Sequence, residues 1–434
     1  MAKFNHLILL CAIVNQCSGQ CNIEKAKYVL KKSLYDFSVD LVTRISEETE
    51  NHFVSSPMSM WTLISPLTTV SEGETRSEIN RVLNIKPNKC FTEKFYAIIK
   101  TITATTSGSS DTFLERCSTI YFDRDLNVKP DFIPKFQSSG VTEAKIVKFT
   151  DFDYAANFIN ENVKEVTHGF IPNVVTASDL EGVYLTLIDA VYFQGKWEIP
   201  FPVENTETSA FYDDDEKQIG DVSLMFVMDK FNVANMDTVG AKVVEIPYTD
   251  GETGNNKFSM LIFLPQRGVT LTSVILNLKS ISLNAVFNSF KHKGADIVSL
   301  QIPKFKISSD LSNMKELLVD MGLKAMFDSS LAQFPGISDY SLYISNLVQK
   351  AHIQVDESGT VASAASAAEF ESRMLPEDFV VNKPFLYMIK KVLFPRDHLT
   401  PGKAITAIQQ TKKLRAIPNT TRTQLVNKQK CAKY

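Results

Sequence analysis

The nucleophiles and bases of this chain do not assemble into a recognisable catalytic pattern. Six histidines and scattered serines in 434 residues provide neither a Gly-x-Ser-x-Gly elbow nor a His-Glu-x-x-His pair, so no enzyme is expected. The acidic run Asp213-Asp214-Asp215-Glu216 reads as a solvated loop in preference to a calcium site or an exosite. The unusual chemistry lies in residues 359–368, Gly-Thr-Val-Ala-Ser-Ala-Ala-Ser-Ala-Ala, which have almost nothing large to bury. Composition alone favours a flexible linker there. A second reading follows from spacing: Thr360, Ala362, Ala364, Ser366 and Ala368 recur at period two, so as a strand they would present one small-residue row to a core. A segment able to live as a loop or as an inserted strand is a switch candidate.

Such a segment needs a body to insert into, and the flanking sequence describes one. Leu30, Leu34, Phe37, Leu41 and Ile45 form one helical stripe. Ser56 before Pro57 predicts an N-cap and first-turn proline for a second helix through Trp61 and Ile64, ended or kinked at Pro66. Thr75 and Glu78 have the spacing of a capping box heading another helix toward Leu83. Thr103 to Asp111 reads as a loop or helix end. Val183 to Phe193 is nearly all apolar and predicts a strand buried on both faces of a large sheet. Further strands are predicted at Phe258–Leu264 and Ile302–Ile307, then a helix over Leu311–Met321 stopping at Gly322.

Charge and leader bound the setting. The net charge of −3 argues against nucleic-acid binding. It hides an asymmetry: from Arg396 onward nine Lys and Arg face Asp397 alone, so this tail carries +8 and the preceding residues −11. Lys3, the apolar run Leu7 to Val14 and the small pair Ser18-Gly19 have the order of a secretory signal over residues 1–19, with an uncleaved anchor as the alternative. No later run is long enough to span a bilayer, so secretion without membrane association is expected. Cys21, Cys90, Cys117 and Cys431 would remain after cleavage, and their three possible pairings stay open. No spacing suggests zinc or another metal, and no cofactor is expected.

A series of short motifs then occurs in a specific order. It comprises Ser56-Pro57-Met58-Ser59, Gly73-Glu74-Thr75 with Glu78-Ile79, Ile159-Asn160 with Thr167 and Gly169, and Tyr192-Phe193-Gln194-Gly195-Lys196-Trp197 with Phe201. Glu245-Ile246-Pro247-Tyr248, Pro303-Lys304-Phe305, Asp356-Glu357-Ser358-Gly359-Thr360 and Asn382-Lys383-Pro384-Phe385 follow. Each is weak alone; in this order, from about Ile23 to Ile389, they give a chain that resembles the serpin family. The resemblance implies one mixed α/β domain over residues 20–395, with three β-sheets, about nine helices and an exposed reactive loop at 357–379. It implies suicide-substrate inhibition, in which the loop inserts into the central sheet while the protease is still held as an acyl-enzyme.

Residue by residue, the resemblance makes Glu357, Gly359, Thr360, Ala362, Ala364 and Ser366 the hinge. Counting Glu357 as one, the family's cleaved residue falls seventeenth, at Arg373, so the scissile bond is expected at Arg373-Met374. Arg373 is also the only Lys or Arg between Lys350 and Lys383, and its guanidinium suits the primary pocket of a trypsin-like protease. Ser56, Ser59, Asp189 and Gln349 match the region where the sheet must part, and Trp197 the point at its top where the loop enters. Each also reads as a satisfied polar core group or a packed indole. Many members have asparagine at the position of Asp189 and histidine at that of Gln349. A buried acid beside an amide predicts a raised pKa and a pH-sensitive opening of the sheet.

The expected function is therefore secreted inhibition of a trypsin-like serine protease as a covalent 1:1 complex by a monomer. A non-inhibitory serpin acting as carrier, chaperone or storage protein is the alternative. Lys86, Lys89, Lys94 and Lys100 make only a thin basic scatter where some serpins bind heparin, which leaves glycosaminoglycan binding open. Nothing after Lys390 matches the family's final hairpin. Ala404–Ile408 offers a replacement strand, against the at least equal alternative of a disordered tail over 396–434 from variant splicing or a gene-model error. Asn419-Thr420-Thr421 is the only glycosylation sequon and lies in that tail.

Overall fold

A computed structural model describes residues 23–49, 52–86, 89–103, 112–137, 140, 142–249, 258–359, 376–393 and 402–410. The leader 1–19, most of the expected loop at 103–111, Thr360 to Met374 and the sequon at Asn419 lie outside the described residues.

The helices are α1 (Ile23–Glu48), α2 (Pro57–Ile64), α3 (Gly73–Val82), α4 (Lys89–Thr103), α5 (Phe132–Gln137), α6 (Phe152–Val166), α7 (Leu271–Asn277), α8 (Leu283–Lys293) and α9 (Met314–Asp320). The strands are β1 (Phe53–Ser55), β2 (Thr112–Asp123), β3 (Glu143–Val147), β4 (Leu185–Gly195), β5 (Glu207–Tyr212), β6 (Gln218–Met236) and β7 (Ala241–Pro247). They continue as β8 (Phe258–Pro265), β9 (Ala295–Pro303), β10 (Phe305–Leu311), β11 (Asn346–Val355), β12 (Glu377–Val380), β13 (Leu386–Leu393) and β14 (Gly402–Gln410).

The stripe Leu30, Leu34, Phe37, Leu41 and Ile45 is buried along α1, as its spacing requires. Ser56 caps α2 by accepting from the Ser59 N–H at 3.3 Å, and the chain tightens into a 3-10 turn at Ser65-Pro66, where proline has no N–H for an α-helical bond. The expected capping box does not form. The α3 helix begins two residues earlier, at Gly73, so Thr75 and Glu78 fall inside it. Their oxygens reach another segment instead: the Thr75 hydroxyl accepts from Gln333 N at 3.0 Å, and Glu78 Oε2 accepts from Lys324 N and Ala325 N at 2.7 Å. The single strand expected at Ile302–Ile307 is two strands in different sheets, β9 and β10, broken at Lys304. The expected helix from Leu311 is shorter, because Leu311 closes β10 and α9 begins at Met314.

Five strands form the central sheet, in the order β10-β11-β4-β2-β3. The central β4 is buried on both faces, as its unbroken apolar run predicts. Its odd-numbered Leu185 and Leu187 join the core built on α1 and α2, while Ile188 and Ala190 pack under Ala155, Ile159 and Val163 of α6. The other strands form a nine-stranded sheet, in which two of the three expected sheets are continuous. The 19-residue β6 joins them, pairing with β5 and β9 along one part and with β7 along the other. Strand β14 lies between β1 and β13, so residues 402–410 of the basic tail supply the replacement strand.

Candidate functional site: a seam in the central sheet and the turn above it

The site begins with a register. β11 and β4 pair directly and in parallel, with Gln349 opposite Asp189, while β2 runs antiparallel on the other side of β4 with Ser118 opposite the same aspartate. Ser118, Asp189 and Gln349 therefore stand in one row across three strands, and α2 lays Ser56 and Ser59 over them. All five are buried.

Their hydrogen bonds close on one another. Gln349 Nε2 donates to Asp189 Oδ2 at 2.7 Å and to the Ser56 carbonyl at 3.1 Å. Its Oε1 accepts from the Ser55 hydroxyl at 2.5 Å and from Ser56 N at 3.2 Å. Asp189 Oδ1 accepts from the Ser59 hydroxyl at 2.5 Å and from the Ser118 hydroxyl. Complete burial pushes the Asp189 carboxyl above the ordinary range, against these hydrogen bonds and the charge of Arg116. The Arg116 guanidinium is itself anchored by donating to the Thr62 hydroxyl.

Three residues above this row, His352 faces Tyr192 across the same seam. Its Nδ1 is 2.7 Å from the Ser308 hydroxyl, and its Nε2 is buried without a hydrogen-bond partner. Burial, aided by Lys306, lowers its pKa to about 4. Phe170, from the segment after α6, stacks on Tyr192 at 4.2 Å and lies 5.6 Å from the His352 ring.

β11 ends in a tethered turn at the top of the seam. Asp356 and Gly359 form an antiparallel bridge. Trp197 holds this turn from below: its backbone N–H donates to the Ser358 carbonyl at 3.1 Å, and its indole donates to the Asp356 carbonyl at 2.9 Å. The indole also stacks on Tyr248 at 4.3 Å, so it is both the packed indole and the contact at the top of the sheet. Glu357 is only 6% exposed and accepts from Lys304 Nζ at 2.9 Å and Thr206 Oγ1 at 2.8 Å. Burial would raise its pKa, but these partners outweigh burial and hold the carboxyl below its usual range. Gly359 has φ +103°, and a Cβ there would sit 2.2 Å from the Gly195 carbonyl oxygen. Only glycine fits.

The structure thus gathers Ser56, Ser59, Asp189 and Gln349 in one network and Glu357, Gly359 and Trp197 in another. Ser55, Ser118 and Arg116 join the first without a signal in the sequence, since their roles depend on strand register. Lys304 was accessible as the polar residue inside Pro303-Lys304-Phe305, between two apolar strands. Cys117 is a free, buried thiol pushed up to about 11 by burial, while Cys21 and Cys431 lie outside the described residues.

The elements form a mixed α/β domain in which a closed parallel seam lies under a tethered turn. Residues 32–393 match the family model described as Serpin (serine protease inhibitor), and the chain belongs to the serpin family. Plasminogen activator inhibitor 1 of Bos taurus is 29% identical over 364 residues, covering 82% of this chain and 87% of that one. Leukocyte elastase inhibitor of Xenopus tropicalis is 29% identical over 368 residues, covering 83% and 95%. The crystal structure of Serpin48, described as a highly specific serpin in the insect Tenebrio molitor, superposes with a TM-score of 0.71 at 26% identity, covering 89% and 98%.

Proposed function

We propose that the protein is a secreted suicide-substrate inhibitor of trypsin-like serine proteases, cleaved at Arg373-Met374. The observation that carries this reading is the register of the Asp356–Gly359 bridge beside a closed seam. Extended as a hairpin, that register sets residue 360 against Val355, 362 against Ile353, 364 against Ala351, 366 against Gln349 and 368 against Leu347. The odd-numbered β11 residues Leu347, Gln349, Ala351, Ile353 and Val355 are all buried, with the apolar ones joining the cores beneath the sheet. Facing residues of antiparallel strands point the same way, so Thr360, Ala362, Ala364, Ser366 and Ala368 enter as one small row on the core side. Ser366 arrives beside Gln349 and Asp189, where a hydroxyl can join the network.

The chemistry follows from that geometry. The protease serine oxygen attacks the Arg373 carbonyl carbon, the bond to the Met374 nitrogen breaks, and the amine leaves with a proton from the protease. An ester then joins the two proteins. Insertion of the freed loop must outrun its hydrolysis. Gly359 to Arg373 is 15 residues, or ~50 Å of strand, enough to carry the tethered protease from one pole toward the other. The named inhibitors among the relatives support the reading. Incubation with trypsin followed by denaturing electrophoresis tests it: a boiling-resistant band at the summed mass is expected. Cleavage after Arg373 without that band would point to a non-inhibitory serpin.

A further inference from the structure

Carried further, the hairpin register decides where Arg373 finishes. Residue 369 faces Asn346, the first residue of β11, and four further residues carry Arg373 past the end of that strand, beside the segment that leads into it. At this level, Tyr340 to Tyr343 line a cavity of about 310 Å³ together with Asp125, Leu126 and Tyr184.

Parity directs the side chain to the same place. Even-numbered loop residues face the core, so Arg373 falls on the outer face. Tyr184 precedes β4 and continues the row of Ile188 and Ala190, the residues that pack under α6 on that face. Tyr184 and Tyr340 are 56% and 65% exposed, so their rings are open to a newcomer. Flat aromatic rings with one carboxylate, Asp125, suit a planar cation, which can stack on the rings while donating to the acid. Lys129 is occupied by Asp339 at 2.7 Å and does not oppose it there.

We infer that this cleft at the lower end of the seam receives the Arg373 side chain once the loop has inserted. The inference rests on the inhibitory reading above and deepens it. The guanidinium that selects the protease's primary pocket during attack gains a competing site on the inhibitor after translocation. Captured there, it no longer orients the ester in the protease, and deacylation slows.

Loop-cleaved protein, recovered after trypsin treatment, ends its inserted strand at Arg373 and can be challenged with carboxypeptidase B, followed by mass spectrometry. The parent chain is expected to lose Arg373 at least about tenfold more slowly than Tyr340→Ala or Asp125→Asn, a difference of ~1.4 kcal/mol in access. Neither variant touches the seam or the hinge. The thermal midpoint before and after cleavage separates the two ideas. A rise on cleavage with equal trimming in all three proteins overturns the cleft and leaves insertion standing. No rise on cleavage overturns insertion itself.

Discussion

Gln349 and Asp189 face each other across the β4–β11 seam, with the amide nitrogen 2.7 Å from the carboxylate. The same amide also satisfies the Ser55 hydroxyl and both backbone polar groups of Ser56, so one side chain ties two strands to α2. Gln349→Ala leaves these groups without it inside a buried site, at a cost of about 3 kcal/mol. The uncleaved protein should melt several degrees lower. Because the lost bonds join the strands that the proposed mechanism separates, spontaneous loop insertion should accelerate; a lowered melting point with an unchanged insertion rate would show that this network does not hold the seam.

The seam should respond to pH in two opposed ways. Asp189 has a raised pKa when buried, so opening, which hydrates it, releases a proton: opening becomes easier as pH rises above the ordinary carboxylate range toward the buried value. Ser59, Ser118, Gln349 and Arg116 surround it and set how far that value moves. His352 works in the other sense. Its pKa is held near 4, so closure loses stability as pH falls from 6.5 toward that value, with Ser308, Tyr192, Phe170 and Lys306 as its surroundings. Between pH 4 and 6.5 the two effects therefore oppose each other, and insertion rates of the parent chain should vary little over that interval. Asp189→Asn should leave a rate that falls as pH rises toward 6.5, and His352→Gln one that rises with pH; identical profiles for all three proteins would remove both groups from the gate.

The Asp356–Gly359 turn is held by an ion pair of low exposure. Lys304 Nζ lies 2.8 Å from Glu357 Oε2, with the two side chains 25% and 8% exposed. Lys304 occupies the break between β9 and β10, so the pair ties the turn to the junction of the two sheets. Reversing Glu357 to lysine puts two cations together and should cost about 2–4 kcal/mol. The turn above Trp197 should then loosen. Fluorescence in a Trp61→Phe background isolates Trp197 and should redden as the indole loses its place against Asp356 and Tyr248. An unmoved spectrum would assign the turn's rigidity to the backbone bonds alone.

Much of this was legible before any coordinates, and what was not has a common cause. The apolar stripe of α1, the proline start of α2 and the run of β4 are local patterns that tertiary packing confirmed. Thr75 and Glu78 misled because a capping box and a pair of tertiary tethers use the same residue types at the same spacing. Only the position of the 324–333 segment distinguishes them. Of the seam, Asp189 and Gln349 were reached through resemblance. Ser118 and His352 depend on which residue faces which across strands distant in sequence, a matter that periodicity does not encode.

The C-terminal strand gives the last prediction, because it divides the basic tail. β14 pairs with β13 from Leu386 to Leu393 and with β1 from Phe53 to Ser55, and so covers the edge of β13 and attaches the edge strand β1 to the sheet. Ser55 is also the residue whose hydroxyl meets Gln349, which places β14 one strand away from the seam network. Ending the chain after Leu393 should expose the unpaired backbone of β1 and β13, templates for pairing with other chains. Oligomers are expected by size-exclusion chromatography, with a lower melting point in the monomer that remains. Ending it after Gln410 keeps β14 and should shift the midpoint by less than about 2 °C, the scale of a neutral surface change. Equal behaviour of the two truncations would assign β14 no part in stability and leave the fold complete at β13.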